Sequence, residues 1–140
     1  MRYCLLHGAA RGRRYAKQQI QPSNWRIIGA GVQIKTELWV QAELRRITSL
    51  CLFAALMHKG DLERGGVLLK HSTLDGKASL FETAMSFEGQ EGLRLIADAQ
   101  PERDVDALIA KKRGWDTDLW VLEVEDVKNT YSAPMPILSF

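Results

Sequence analysis

Trp115-Asp116-Thr117-Asp118-Leu119-Trp120-Val121-Leu122-Glu123-Val124-Glu125-Asp126 (WDTDLWVLEVED) is the stretch on which the fold turns. Asp118–Glu125 reads as a strand, and its run Leu119–Leu122 is apolar without alternation, which implies cover on both faces and a central place in a sheet. Trp120 lies inside that run and is expected in the core. Just upstream, Pro101 is placed to start a helix. Val105, Leu108, Ile109 and Lys112 mark one helical face, and the stem of Lys112 is long enough to cover apolar surface. Glu102, Asp104 and Asp106 come early and Lys111, Lys112 and Arg113 come late, an order that complements the helix dipole at both ends. Gly114 is the natural terminating residue. A strand that returns through a helix is the one expected to add a parallel pair.

Further upstream the pattern is local. Thr36 is placed to cap a helix that starts near Glu37, and Val40, Leu44 and Ile47 form its buried stripe. Trp39, Glu43 and Arg46 share a neighbouring face, with Glu43 and Arg46 spaced for a small surface ion pair. Leu50–His58 reads as a strand, so apolar that burial on both faces is expected. Lys59-Gly60-Asp61 is turn chemistry. Gly65-Gly66 opens a second strand reaching about His71, and Asp75-Gly76 signals a hairpin to a third, about Ala78–Ala84. A fourth follows at Leu93–Ala97. Val127–Phe140, with Pro134 and Pro136, is expected to be an irregular tail. The order helix, three or four strands, helix, strand predicts an α+β domain: a mixed, mostly antiparallel sheet of four or five strands packed with two helices.

Charge divides the chain of 140 residues. Met1–Gly31 holds six of the 19 basic residues and none of the 17 acids, leaving −4 for the remainder. Residues 1–31 therefore read as a basic, irregular lead and residues 32–126 as one compact domain. The lead admits three uses: targeting presequence, nucleic-acid arm, or upstream residues preceding the true start. No apolar run approaches the length of a membrane span. Cys4 and Cys51 are isolated, which fits a reducing compartment better than a disulfide scaffold. Cys51, in the apolar run Leu50–Met57, is expected as a buried thiol.

Lys35–Arg46 (KTELWVQAELRR), Gly60–Gly66 (GDLERGG) and Asp118–Asp126 (DLWVLEVED) together resemble a bacterial family, domain of unknown function 1491, found mainly in alphaproteobacteria. The resemblance spans about residues 32–126. The positions that carry it include Trp39, Arg45, Arg46, Gly60, Asp61, Gly65, Asp118, Trp120 and Glu123. It implies a small cytoplasmic protein and no particular activity. It also implies initiation at Val32, since members start a few residues before the first helix. The stretch Phe87–Leu93 and the tail depart from the family pattern.

None of the candidate chemistry is catalytic by type. His58, His71 and Asp61 are sheet-end residues whose spacing matches no zinc signature. Gly60-Asp61 with Gly65-Gly66 lacks the lysine of a phosphate loop and reads as a structural turn. Asp118, Glu123, Glu125 and Asp126 read as sheet-face carboxylates, so no metal and no cofactor are expected. Arg45 and Arg46 end the first helix, where positive charge suits the dipole. Two arginines exceed that need: one is expected to reach across to an acid, Asp61 or Glu125, where a fork on Asp61 would fix the Gly60–Gly65 loop, or to face solvent beside Trp39 as a cationic, aromatic patch suited to a carboxylate or phosphate ligand or a partner. With Trp39, His58 and Asp61 they form the candidate partner or ligand surface. The leading expectation is a non-catalytic cytoplasmic module that binds a protein partner or another copy of itself. The alternatives are a small-ligand binder or enzyme using Gly60-Asp61, His58 and Arg45 or Arg46, and a nucleic-acid binder acting through the lead. The acidic body argues against nucleic acid, and no membrane partner is expected.

Overall fold

The computed structural model describes residues 34–140. The basic lead lies outside the described residues, as does the question of where initiation falls. Helix α1 spans Thr36–Ser49, followed by strands β1 (Phe53–His58), β2 (Val67–Ser72), β3 (Lys77–Met85) and β4 (Glu91–Pro101), helix α2 (Glu102–Trp115) and strand β5 (Trp120–Glu125). The five strands form one sheet in the order β1-β5-β2-β3-β4. β5 pairs parallel with β2 and antiparallel with β1, and the other pairs are antiparallel. The α+β class, the two helices and the single parallel pair are those the sequence predicts. The continuous run of β5 is central for the reason expected, because both faces of that strand are covered.

One face of the sheet carries α1. Val40 and Ile47 pack there on Val67, Leu69, Phe81, Leu93, Trp120, Leu122 and Val124. The other face carries α2, whose Val105 and Ile109 pack on Leu68, Ala78, Leu80, Leu119 and Val121. The alternation of side chains along β2 and β5 thus separates two cores.

Several local expectations change. β1 is an edge strand, not a doubly covered one, and Phe53, Leu56 and Met57 are exposed. Its apolar composition alone does not distinguish a central from an edge position, because that is decided by where β5 inserts. Cys51 is exposed in a left-handed turn after α1 and is not a free thiol. Helix α2 runs through Gly114 to Trp115, since the helical backbone bonds continue to Asp116, whose N–H donates to Lys112 O at 2.9 Å.

Thr36 does not cap α1. Its backbone N–H and that of Glu37 donate instead to the carbonyls of Glu63 and Leu62, at 3.3 and 3.0 Å, and its hydroxyl donates to Gly65 O at 2.9 Å. A loop folded back onto the helix start satisfies the orphan amides that a side-chain cap would otherwise take. The start of α2 is served likewise, Glu102 N–H donating to Gly76 O at 2.9 Å.

After β5 the chain has little regular structure, as its prolines predict, yet Tyr131, Ala133 and Met135 are buried in the α1-side core. The compact unit therefore continues past Asp126. The tail then runs beside β4 and makes an isolated parallel bridge between Ile137 and Leu93.

Candidate functional site

The most concentrated chemistry lies beneath α1. Glu43 is only 5% exposed. Arg46, one turn on, forks onto it with Nε–Oε2 at 2.9 Å and Nη2–Oε1 at 2.7 Å, and also donates to Ser132 O at 2.8 Å. Tyr131 donates its hydroxyl to Glu43 Oε1 at 2.9 Å, and its ring lies 5.4 Å under the Arg46 guanidinium carbon. The same tyrosine stands 5.6 Å, centroid to centroid, from His71. His71 Nε2 meets Asp126 Oδ2 at 3.0 Å, and both residues are about 1% exposed. Asp126 also accepts from Tyr131 N–H at 2.7 Å and Thr130 Oγ1 at 3.2 Å. A carboxylate can be buried when its oxygens are occupied in this way. Burial, with Glu43 beside it, pushes the Tyr131 phenol well above its ordinary range, against the pull of Arg46. The hydrogen bond that Arg46 donates to Glu43 outweighs burial and raises the already basic Arg46.

This network joins α1, β2, the end of β5 and the tail. Both carboxylates spend their acceptor capacity inside the protein, so the arrangement fastens the tail rather than presenting a base to a substrate.

A second ionic centre occupies the α2 face. Lys70 Nζ lies 2.7 Å from Asp106, 2.8 Å from Glu102 and 3.0 Å from Glu123. Burial alone would lower this ammonium, but the three carboxylates outweigh it and raise the group above its usual range. Nearby, Glu82 accepts from Arg94 at 2.7 Å and Lys112 at 3.0 Å. Burial opposes these two cations, which prevail and hold the Glu82 carboxyl below its ordinary range.

The residues singled out from sequence are scattered by the fold. Arg46 makes a fork, but onto Glu43 rather than Asp61 or Glu125. Arg45, one residue earlier and so about 100° around the helix, is exposed. Trp39 packs half-buried on the α1-side core. Asp61 Oδ1 accepts from Glu63 and Arg64 N–H, which makes its side chain a turn-former. The Asp61 carbonyl takes the Trp120 indole N–H at 2.7 Å.

His58 pairs through the bulged end of β1 with Val121, on the α2 side. There Arg113 Nη2 donates to its Nε2 at 3.0 Å. His71 is on the opposite face with β5 between the two strands, so no His58–His71–Asp61 cluster forms. Among the described residues no group of three His, Cys, Asp or Glu is arranged to hold a metal.

The glycines of the Gly60–Gly66 loop have a packing reason. A Cβ on Gly60 or Gly65 would lie 2.1 or 2.3 Å from the Asp118 carbonyl oxygen. Asp61 N–H donates to that same oxygen at 3.0 Å. The three sequence motifs thus meet as one structural joint: the start of α1, the loop and the start of β5.

A family model described as "Protein of unknown function (DUF1491)" matches residues 34–132. The chain belongs to the DUF1491 family. A crystal structure of a DUF1491 protein from Caulobacter crescentus CB15 is 31% identical, with a TM-score of 0.69 over 76% of this chain and all of that one. An NMR structure of a DUF1491 protein from the same organism is 32% identical, with a TM-score of 0.68 over 78% of this chain and all of that one. The solution structure of Atu0922 from A. tumefaciens is 22% identical, with a TM-score of 0.66 over 78% of this chain and 98% of its own, a likeness of fold alone. No curated protein matches the chain. The match reaches Ser132 and so takes in Tyr131, consistent with a tail that belongs to the domain.

Proposed function

We propose that this DUF1491 domain is a non-catalytic interaction module that binds a protein partner or a second copy of itself. One observation carries the reading: the apolar edge strand β1, whose Phe53, Leu56 and Met57 are exposed. Edge strands in natural proteins are usually short, charged or covered, because unpaired backbone groups recruit other strands. An edge left apolar suits association.

The two concentrated ionic centres weigh against catalysis, since their carboxylates are committed to internal partners. The ligand-binding alternative loses its geometry, because His58 and Arg46 stand on opposite faces of the sheet. The reading keeps the cytoplasmic location that family resemblance implies, and no helix among the described residues is long and apolar enough to cross a membrane. Quantitative affinity capture from source cells with the full chain, in parallel with its Met57→Lys variant, tests the module. A partner or second copy retained by the wild type and lost by the variant is expected. Equal recovery by both, or no association by either, would sink the reading.

A further inference from the structure

Among the described residues one side-chain nitrogen is buried without a hydrogen-bond partner, Nε of Arg113. Nη2 of the same guanidinium donates to His58 Nε2 at 3.0 Å. An imidazole nitrogen that accepts this bond leaves the proton on Nδ1 and has one lone pair to offer. It therefore serves one tine of the fork and leaves the other unmatched. Arg46 shows what the same edge takes elsewhere in the chain, where its Nε and Nη2 meet the two oxygens of Glu43 at 2.9 and 2.7 Å. The α2-side carboxylates that could answer Arg113 are engaged: Glu82 holds Arg94 and Lys112, while Glu102, Asp106 and Glu123 hold Lys70. A buried donor left unmatched costs stability, and such a group in a native fold calls for a physical reason.

We propose that Arg113 and His58 form a binding site for a small carboxylate anion, which displaces the imidazole and takes Nε and Nη2 together. Such a site lies outside the interaction-module reading and stands without it. The two oxygens of a carboxylate match two parallel N–H donors, and a bond between opposite charges is stronger than one to a neutral acceptor. The incoming anion thus gives the stranded Nε an acceptor that His58 lacks. His58 is placed to yield, because it stands half-buried beyond the bulge at the end of the edge strand β1. The group displaced is a single imidazole, and Nε is closed to solvent beside it, so the ligand is a compact acid. Its charge is limited by the helix. Arg113 lies in the last turn of α2, at the negative end of the helix dipole. That field opposes any anion, and it opposes a phosphate dianion about twice as strongly as a carboxylate.

The test is NMR on the full-length chain, titrated with sodium acetate while sodium chloride holds the ionic strength constant. The Arg113 Nε–H and His58 ring resonances are the readouts, and sodium phosphate is the second titrant. Arg113→Lys keeps the charge and removes the fork, whereas His58→Ala removes the group to be displaced. Melting curves confirm that each variant is folded. Acetate is expected to move both resonances to saturation, with a Kd on the order of ten millimolar for one charged fork. Arg113→Lys should weaken the binding roughly tenfold, and His58→Ala should tighten it. Phosphate should bind more weakly than acetate. A response that does not saturate, or one that survives in Arg113→Lys, overturns the site. Acetate binding that is unchanged or weaker in His58→Ala overturns the displacement, and it decides the matter if Arg113→Lys fails to fold. Phosphate binding as tight as acetate overturns the carboxylate assignment.

Discussion

The two faces of this one sheet bury charge in different ways. Under α1, Glu43, Arg46, Tyr131, His71 and Asp126 form a chain of contacts in which nearly every polar atom has one particular partner. Under α2, Lys70 has three carboxylates, of which Glu102 and Asp106 still reach water. The first arrangement is brittle, because loss of one member strands another in the core. The second is redundant, since an ammonium that loses one acceptor keeps two. The brittle network holds the irregular stretch around Tyr131, which precedes the tail's bridge to β4 at Ile137. The redundant one merely supplements a helix already seated by Val105 and Ile109.

The largest expected effect is on the apolar ground beneath the brittle network. Trp120→Ala removes a fully buried ring and its bond to Asp61 O, and a loss of about 3–5 kcal/mol by chemical denaturation is expected. Such a loss brings a marginal domain close to unfolding.

Next comes Glu43→Ala, which leaves the Arg46 fork and the Tyr131 hydroxyl without their shared acceptor. Because Arg46 is partly open to water, a cost of about 2–4 kcal/mol is expected. Loosening of residues 131–137 ahead of the sheet, read by amide exchange, would tie that cost to the tail. Exchange unchanged there would show that the network does not fasten the tail.

Tyr131→Phe keeps the ring and drops one hydrogen bond, for about 1 kcal/mol. On the other face Glu102→Gln should fall within about 0.5 kcal/mol, because Asp106 and Glu123 remain on Lys70. A cost for Glu102→Gln equal to that of Glu43→Ala would erase the distinction between the faces.

The finest test is pH. Lys70 and Tyr131 both have folded pKa values raised above their ordinary ones. Above about pH 10, where these groups deprotonate in the unfolded chain, the folded state retains protons that the unfolded state has lost. Stability is therefore complete below that pH and declines as pH rises towards the folded values. Tyr131→Phe and Lys70→Met should each flatten part of this alkaline decline, one from each face. Glu82 behaves oppositely. Its depressed pKa gives stability that is present above the ordinary carboxylate range and lost as pH falls through the folded value, so Glu82→Gln should flatten an acidic limb.

Much of the fold was legible in the sequence because it is written in local period. The unbroken run Leu119–Leu122, the Val40–Ile47 stripe, the Asp75-Gly76 hairpin and the charge order of α2 each fix an element without knowledge of its neighbours. The candidate residues were legible as types but not as a site. The pair Arg45 and Arg46 suggests a fork onto a strand-end acid without saying which arginine makes it, and Arg46 makes it onto Glu43, one turn away on the same helix. Glu43 at i−3 is the available signal, but pairs at that spacing are usually only a small surface effect. Tyr131 gave no signal at all, since a tyrosine in an irregular, proline-bearing tail has no period to place it. Lys70 and His71 lie in a strand whose six residues are all buried, and only the neighbouring elements show how a lysine is tolerated there.

By itself the sequence determined the α+β class, the two helices, the central placing of β5 and the membership of a family whose motifs are a packing joint. Those features depend on interactions between residues near in the chain, or on runs whose hydrophobicity admits one reading. The tertiary structure alone decided that β1 is an edge, that the tail is core, and that charge is buried on both faces of the sheet. Each of these depends on which distant segment occupies a neighbouring position. Glu43 and Tyr131 are 88 residues apart, and β5 enters between β1 and β2 only after the rest of the sheet and α2 have passed in the chain. Burial of a charge, and exposure of an apolar strand, are properties of that neighbourhood and not of the residue.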